Sequence, residues 1–474
     1  MSKDEIIRLD VIAGLSALTS GALSSSEYCA AALAQLRKFE SQNIFTQVSE
    51  TYIQSHASSV DSRQRKGEPV GELHGLPYAL KDSVDMVEYY TIAGHPRLRE
   101  FRPRIDADLV KMIRDADGVC IGKTQIPPLS LWWTTENPMT GDTGNPFNSR
   151  YKTGGSSGGS GAAVAARIVP FAIAEDTGGS VRVPAAMNGV QGLRPTTGRW
   201  PIGGAMPIGF SDTLGPIARS VADIKLLDTL FASDRPQNLP GNVNLADVRF
   251  GVQKEWFLEN LHPWVEANFD AALEKLSRSG AKIVEVSGLP GGELYQLSIG
   301  VLLADMPTTI AHYFNRHGVY DVSAFELMQS LNVESIKNTW LPGIENAATG
   351  EKYFELVAKL NQLRERSQAV FEEQRIDALL FPTSKVPNTP NDGGESLSTI
   401  GPLENTLEET AIGANMLFAP ATKRPSISIF SGMDQDGLPL SVTLDGVTGQ
   451  DRRLLDIAEA VEAVLPPLEE PNSV

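Results

Sequence analysis

TGGSSGGSGAAVAARIVPFAIAEDTGGSVRVPAA, residues 153–186, is where the architecture of this 474-residue chain is most plainly written. Fourteen of the 64 residues from Gly141 to Gly204 are glycine, against 42 in the whole chain. Glycine loses more backbone freedom on folding than any other residue, so such a density asks for a geometric reason. A flexible linker would not interleave its glycines with the apolar runs AAVAARIVPFAIA and PAAMNGVQGL. The pattern predicts a packed core in which backbone passes close to backbone, with a buried helix leading into a strand.

Outward from that core the chain alternates helix and strand. The first 66 residues read as helical, with Ser24-Ser25-Ser26 capping EYCAAALAQLRKF. LPYALKD (76–82) reads as a core strand that ends in charge, residues 106–116 as a helix, and GVCIGKT (118–124) as the next strand. Downstream, VRFGVQ and AKIVEV flank a helix at about 264–279, and residues 290–375 are largely helical. Strands follow at 376–382, 425–430 and 438–444, with a last helix at about 451–464. The rhythm predicts an α/β protein with helices covering a sheet. It divides into an N-terminal helical region, 1–66, packed on an α/β domain, 67–474, that carries the helical section at about 290–375.

Composition removes several functions. With 58 acidic and 41 basic side chains the net charge is -17, and no cluster of four or more Lys and Arg offers phosphates a basic stripe, which argues against a nucleic-acid partner. Cys29 and Cys120 lie far apart in apolar settings and read as buried free thiols, which fits a reducing, cytoplasmic compartment. The six histidines form no HExxH and no cluster with cysteine, so neither a metal nor another cofactor is expected. No stretch approaches the ~18 apolar residues of a membrane span.

Three short motifs fail on inspection. GKT at 122–124 lacks the first glycine of a phosphate loop, the place being taken by Asp117. GGSSG at 154–158 spells a nucleophile elbow, but that site needs a histidine late in the chain, and the last one is His317. SRYK and KTG share Lys152 and so cannot line opposite walls of a penicillin-binding-type cleft.

A larger constellation holds: LPYALKD with Lys81, TGGSSGGSGAAVA with Ser156 and Ser157, and EDTGGSVRVPAA with Ser180. With NPMTGDTGNPFN, GLRPTTGRW and SDTLGP, these segments resemble the amidase signature family in its bacterial amide-hydrolase branch. The resemblance is strongest over about residues 70–220 and weaker through DALLFPT and GLPLSVTLDG. It implies a large mixed, twisted β-sheet covered by helices on both faces, and hydrolysis of a small-molecule amide. The family is often dimeric, and a homodimer is compatible with the resemblance.

By the same resemblance Lys81 is the base, Ser156 the bridging serine behind a cis peptide bond, and Ser180 the nucleophile. The chemistry coheres, because a serine hydroxyl needs a base, and a lysine can serve only as the neutral amine that burial favours. The backbone N–H groups of Thr177, Gly178, Gly179 and Ser180 are the expected oxyanion donors. Asp176 and Arg182 should pair to brace the loop, and Ser157 should join the network around Lys81. Asp82, next to Lys81 on a strand, should point the other way. Glu175 departs from the small or hydroxyl residue usual in the family, and is expected to turn away from Lys81 or pair elsewhere.

Trp132 and Trp133 fall near the family's substrate pocket, and Met306, Tyr313, Phe314 and Trp340 belong to the helical section that roofs it. Aromatic walls favour flat apolar substrates. GLRPTTGRW and GLPLSVTLDGVTGQDRRLL resemble hydrolases of arylalkyl amides such as indoleacetamide and mandelamide hydrolases. An aryl or arylalkyl carboxamide is therefore the expected substrate, with a related hydrazide or anilide as alternatives. A glutaminase subunit of a transamidation complex shares the core motifs, but QIPPLSLWW (125–133) is a poor wall for glutamine. A catalytically dead scaffold should have lost Lys81, Ser156 or Ser180, and all three are present.

Overall fold

Strands β2 (Pro77–Lys81), β3 (Val119–Thr124) and β4 (Phe171–Asp176) are buried along their whole length, as strands covered on both faces must be. They belong to one 11-stranded sheet in the computed structural model of the chain, which describes residues 1–207, 209–234, 241, 243–331, 333–391 and 408–471. The other strands are β1 (Phe45–Gln47), β5 (Gln191–Arg194), β6 (Thr213–Ala218), β7 (Arg249–Val252), β8 (Lys282–Glu285), β9 (Ala378–Pro382), β10 (Ser426–Met433) and β11 (Pro439–Asp445). Their order across the sheet is β1-β3-β2-β4-β6-β5-β10-β11-β9-β7-β8. Pairs β2–β3, β2–β4, β7–β8 and β7–β9 are parallel, and the remaining six pairs antiparallel. The fold is α/β with a large mixed sheet flanked by helices.

Alternation along the central strands assigns each residue a face. Tyr78, Leu80, Phe171 and Ile173 enter one core cluster, with residues of the helices Val11–Thr19, Asp108–Asp115, Val221–Phe231 and Asp451–Glu462. Ala79, Ala172 and Ala174 enter the opposite one, against the helix Gly158–Ala165. That helix, GGSGAAVA, is buried at all eight residues. Its glycines lie against neighbouring backbone, a Cβ at Gly159 falling 2.5 Å from Gln125 N and one at Gly161 2.7 Å from Pro184 O, and this close approach of backbone to backbone is what the glycine density announces. The capped helix begins as read: Ser24 accepts from Glu27 N–H and the Glu27 side chain returns to Ser24 N–H.

The structure adds elements that the sequence pattern does not show. β1 interrupts the helical N-terminal region and pairs with β3 at the sheet edge. β5 and β6 lie inside the glycine- and proline-containing segment. Over 290–375 the helices are Gly291–Arg316, Ala324–Gln329, Glu334–Glu345 and Glu351–Glu373. Among the described residues no helix is long and apolar enough to cross a membrane, and both cysteines are buried and free.

Candidate active site

Because β2 and β4 are parallel neighbours, with Leu80 beside Ile173, their carboxyl ends leave the sheet at the same edge. Lys81 ends β2, and Glu175 and Asp176 end β4. Parallel sheets commonly place their sites at such an edge. The helix Gly158–Ala165 starts just beside it, and the turn before that helix supplies Ser156 and Ser157.

Lys81 is fully buried, and its Nζ donates to Ser156 Oγ at 2.8 Å, with a longer contact of 3.4 Å to the Glu175 carbonyl. Ser157 Oγ donates to the same carbonyl at 3.4 Å. The Gly155–Ser156 peptide bond is cis. A Cβ at Gly155 would lie 2.5 Å from Thr134 O, so no larger residue fits at this turn without a shift of backbone. Asp82 does point away from this cluster. It sits 3.6 Å from Lys123 Nζ and accepts from Thr46 and from the N–H of Ile92.

Asp176 and Arg182 form the brace beneath the next loop. Arg182 donates two bonds of 3.0 Å to the Asp176 carboxylate, which also accepts from the N–H groups of Gly179 and Val181. Arg194, which sequence reasoning passes over although it lies within GLRPTTGRW, adds a third contact at 3.3 Å. Burial alone would raise the Asp176 carboxyl, but the two arginines and these hydrogen bonds hold it well below the usual carboxylate range. Gly179 is at φ +110, and a Cβ there would meet Met416 Cβ at 2.5 Å. The loop therefore turns in a conformation, and against a neighbour, that favour glycine.

Two expectations need correction here. The Gly179 N–H is taken by Asp176 at 2.9 Å, so it is not a free donor; the N–H groups of Thr177, Gly178 and Ser180 donate to no protein acceptor among the described residues. Glu175 does not turn away. Its Oε2 lies 3.4 Å from Lys81 Nζ and accepts from Ser83 Oγ at 2.8 Å. Ser83 lies in the turn that follows β2, closed by the Val84 N–H on the Lys81 carbonyl, and that turn brings its hydroxyl to the Glu175 carboxyl. Burial, opposed by the carboxyl of Glu175, lowers the Lys81 ammonium, and burial raises Glu175.

Ser180 opens onto a cavity with about 870 Å³ of empty space out to its mouth. Thr177 and Gly178 share its floor, and Leu131, Trp132, Trp133, Tyr295 and Trp340 are among its walls. Trp133 also donates from Nε1 to the Gly178 carbonyl at 2.9 Å, tying wall to floor. Met306, Tyr313 and Phe314 lie outside this cavity. They pack in an apolar cluster behind the roof helix Gly291–Arg316, where the Tyr313 hydroxyl donates to Asp85 at 2.6 Å. Their side of that helix packs on Leu98, Leu129, Leu327 and Met328 from loops and the helix Ala324–Gln329, and Tyr295, Ile299, Leu302 and Leu303 line the cavity instead. A second pocket, open to solvent, shares Thr177 and Leu417 and is more polar, with Asp305, Arg364 and Lys423 among its lining.

A family model described as Amidase matches residues 27–455 of the chain. The mandelamide hydrolase of Pseudomonas putida is 30% identical over 462 residues, 94% of this chain and 89% of that protein. A glutamyl-tRNA(Gln) amidotransferase subunit of Salinispora tropica is 32% identical over 446 residues, 88% of each. Among solved structures, the peptide amidase from Stenotrophomonas maltophilia superposes with a TM-score of 0.83 at 27% identity, covering 98% of both chains. A buried lysine, two serines at one sheet edge and an open cavity over the second of them are thus found in a chain that belongs to the amidase family and hydrolyses amide C–N bonds.

Proposed function

We propose that the protein cleaves an aryl or arylalkyl carboxamide through a Ser180–Ser156–Lys81 relay and an acyl-enzyme. One observation carries this reading: Ser180 opens onto a cavity walled by Trp132, Trp133, Tyr295 and Trp340, and Lys81 and Ser156, both fully buried, are joined by a 2.8 Å hydrogen bond. In the relay Ser180 Oγ attacks the amide carbon, and its proton passes through Ser156 to the neutral Lys81 amine. Negative charge gathers on the former carbonyl oxygen, within reach of the N–H groups of Thr177, Gly178 and Ser180. The proton returns by the same path to the leaving nitrogen, and water then cleaves the ester at Ser180. The relay requires a Ser180–Ser156 hydrogen bond, which this structure does not contain; catalytic hydrogen bonds commonly tighten only in the reacting complex.

The second cavity keeps glutamine in view, because Asp305, Arg364 and Lys423 offer charges of both signs to a zwitterion. The test is product release from primary arylamides, anilides, hydrazides and glutamine, with the Ser180→Ala variant run in parallel. Turnover of aromatic members that vanishes in the variant is the expected result. Turnover of glutamine alone transfers the assignment to a transamidation subunit, and activity that survives the loss of Ser180 ends the proposed mechanism.

A further inference from the structure

Glu175 and Asp176 are adjacent on β4 and equally buried, at 0% exposure, yet their carboxyls are served very differently. Asp176 receives the Gly179 and Val181 N–H groups and two arginines. Glu175 Oε2 receives one hydroxyl, that of Ser83, and Oε1 has no partner among the described residues. Lys81 gives its short hydrogen bond to Ser156 at 2.8 Å, and the distance from its Nζ to Glu175 Oε2 is 3.4 Å. A buried carboxylate paired with an ammonium draws the contact in to about 2.7–2.9 Å, and an anionic oxygen left without any partner carries an uncompensated desolvation cost.

We propose that Glu175 rests as the neutral carboxylic acid beside the neutral amine of Lys81, a positioning residue that holds the pair's single proton and leaves the amine free to act as base. The role, though not the charge state, rests on Lys81 being that base. During attack Glu175 keeps its proton: Lys81 gains the Ser180 proton through Ser156 and returns it to the leaving nitrogen.

The surroundings agree with a neutral pair. Burial acts in the same direction on both partners, raising the Glu175 carboxyl and lowering the Lys81 ammonium. The other charges that act on them are Asp176 on β4 and Asp212 ahead of β6, with Arg182 and Arg194 lying beyond, against Asp176. Asp176 is committed to Arg182 and Arg194, so neither guanidinium is free to hold Glu175 as an anion.

The charge state is read by infrared difference spectroscopy at neutral pH. Wild type minus Glu175→Gln should show the carbonyl stretch of a protonated carboxylic acid. Lys81→Met minus wild type should show no gain in that stretch, and this second pair keeps the test alive if the glutamine variant does not fold. In kinetics, the acid limb of kcat/KM in Glu175→Gln should stay within about 0.5 pH unit of wild type, because the amide imitates the neutral acid. The proposal is overturned by a missing acid band, by a band that emerges only when Lys81 is removed, or by an acid limb that moves down by about a unit or more. The last would mean that an ionised Glu175 had been holding Lys81 as ammonium. The infrared arms need no turnover, so they stand apart from success or failure of the substrate panel.

Discussion

The loop Thr177–Ser180 and the helix Glu334–Glu345 border the same cavity on opposite terms. Beneath the loop every residue from Gly154 to Ser160 is buried, and Asp176 is fastened by backbone N–H groups and two guanidinium ions. Across from it, Tyr295, Ile299 and Trp340 are only partly buried, and they meet the cavity through apolar surface rather than through hydrogen bonds to its floor. Directional, buried interactions hold reacting atoms in place, and each lost partner leaves an uncompensated polar group. Apolar packing is non-directional and tolerates exchange of shape, which suits a wall that selects substrates. The floor should therefore govern whether the reaction occurs, and the roof should govern on what.

Substitutions can break that contrast, beginning with the largest expected effect. Ser180→Ala should lower kcat by about 10⁵–10⁶ while the protein remains folded, measured by product release and circular dichroism. Asp176→Ala should destabilise the protein by ~3–5 kcal/mol in denaturant unfolding, because Arg182 and Arg194 lose a buried partner. A carboxyl held low in the folded state stabilises it above the pKa of the unfolded chain. The contribution of Asp176 should thus be full at neutral pH and drain away as pH falls below the ordinary carboxylate range, which acid titration of stability will show.

A third test concerns the base. Burial lowers Lys81, so the amine should be free below the ordinary lysine value, and kcat/KM should fall about tenfold per pH unit only on the acid side of that lowered pKa. A limb at the unperturbed lysine value would contradict the buried site. The mildest effects should come from the roof. Trp340→Ala should cost about 10–100-fold in kcat/KM for aryl amides and leave small aliphatic amides little changed, while Trp340→Phe should cost less than about threefold. Trp133 sharpens the comparison, because it is a wall residue hydrogen-bonded to Gly178 O: its alanine variant should lower kcat for aryl and aliphatic amides alike. If Trp340→Ala does the same, roof and floor are not separable.

The floor was legible because its constraints act over short distances. Lys81 closes a strand that the apolar run before it announces, and small residues in GGSGAAVA announce a close-packed helix. The roof offers only helical periodicity, which does not say which face meets the cavity; hence Met306, Tyr313 and Phe314 turn out to pack behind it. β1, β5 and β6 are short, or carry Gly and Pro, and exist because neighbouring strands pair with them.

Two further features needed contacts between segments remote in the chain. Glu175 follows Ala174 along β4, and nothing local tells that its carboxyl finds Lys81 at the end of β2 and Ser83 in the turn after it. Likewise the N–H of Gly179 could face a substrate until Asp176 is seen to claim it. Covalent order and strand or helix periodicity belong to the chain alone, and from them come the α/β class and the close-packed glycine segment, while the linked motifs carry the resemblance to the amidase family. Charge state, free donors and cavity walls depend on which distant groups share a dry interior, since a buried polar atom is defined by its partners, and those arrive only with folding.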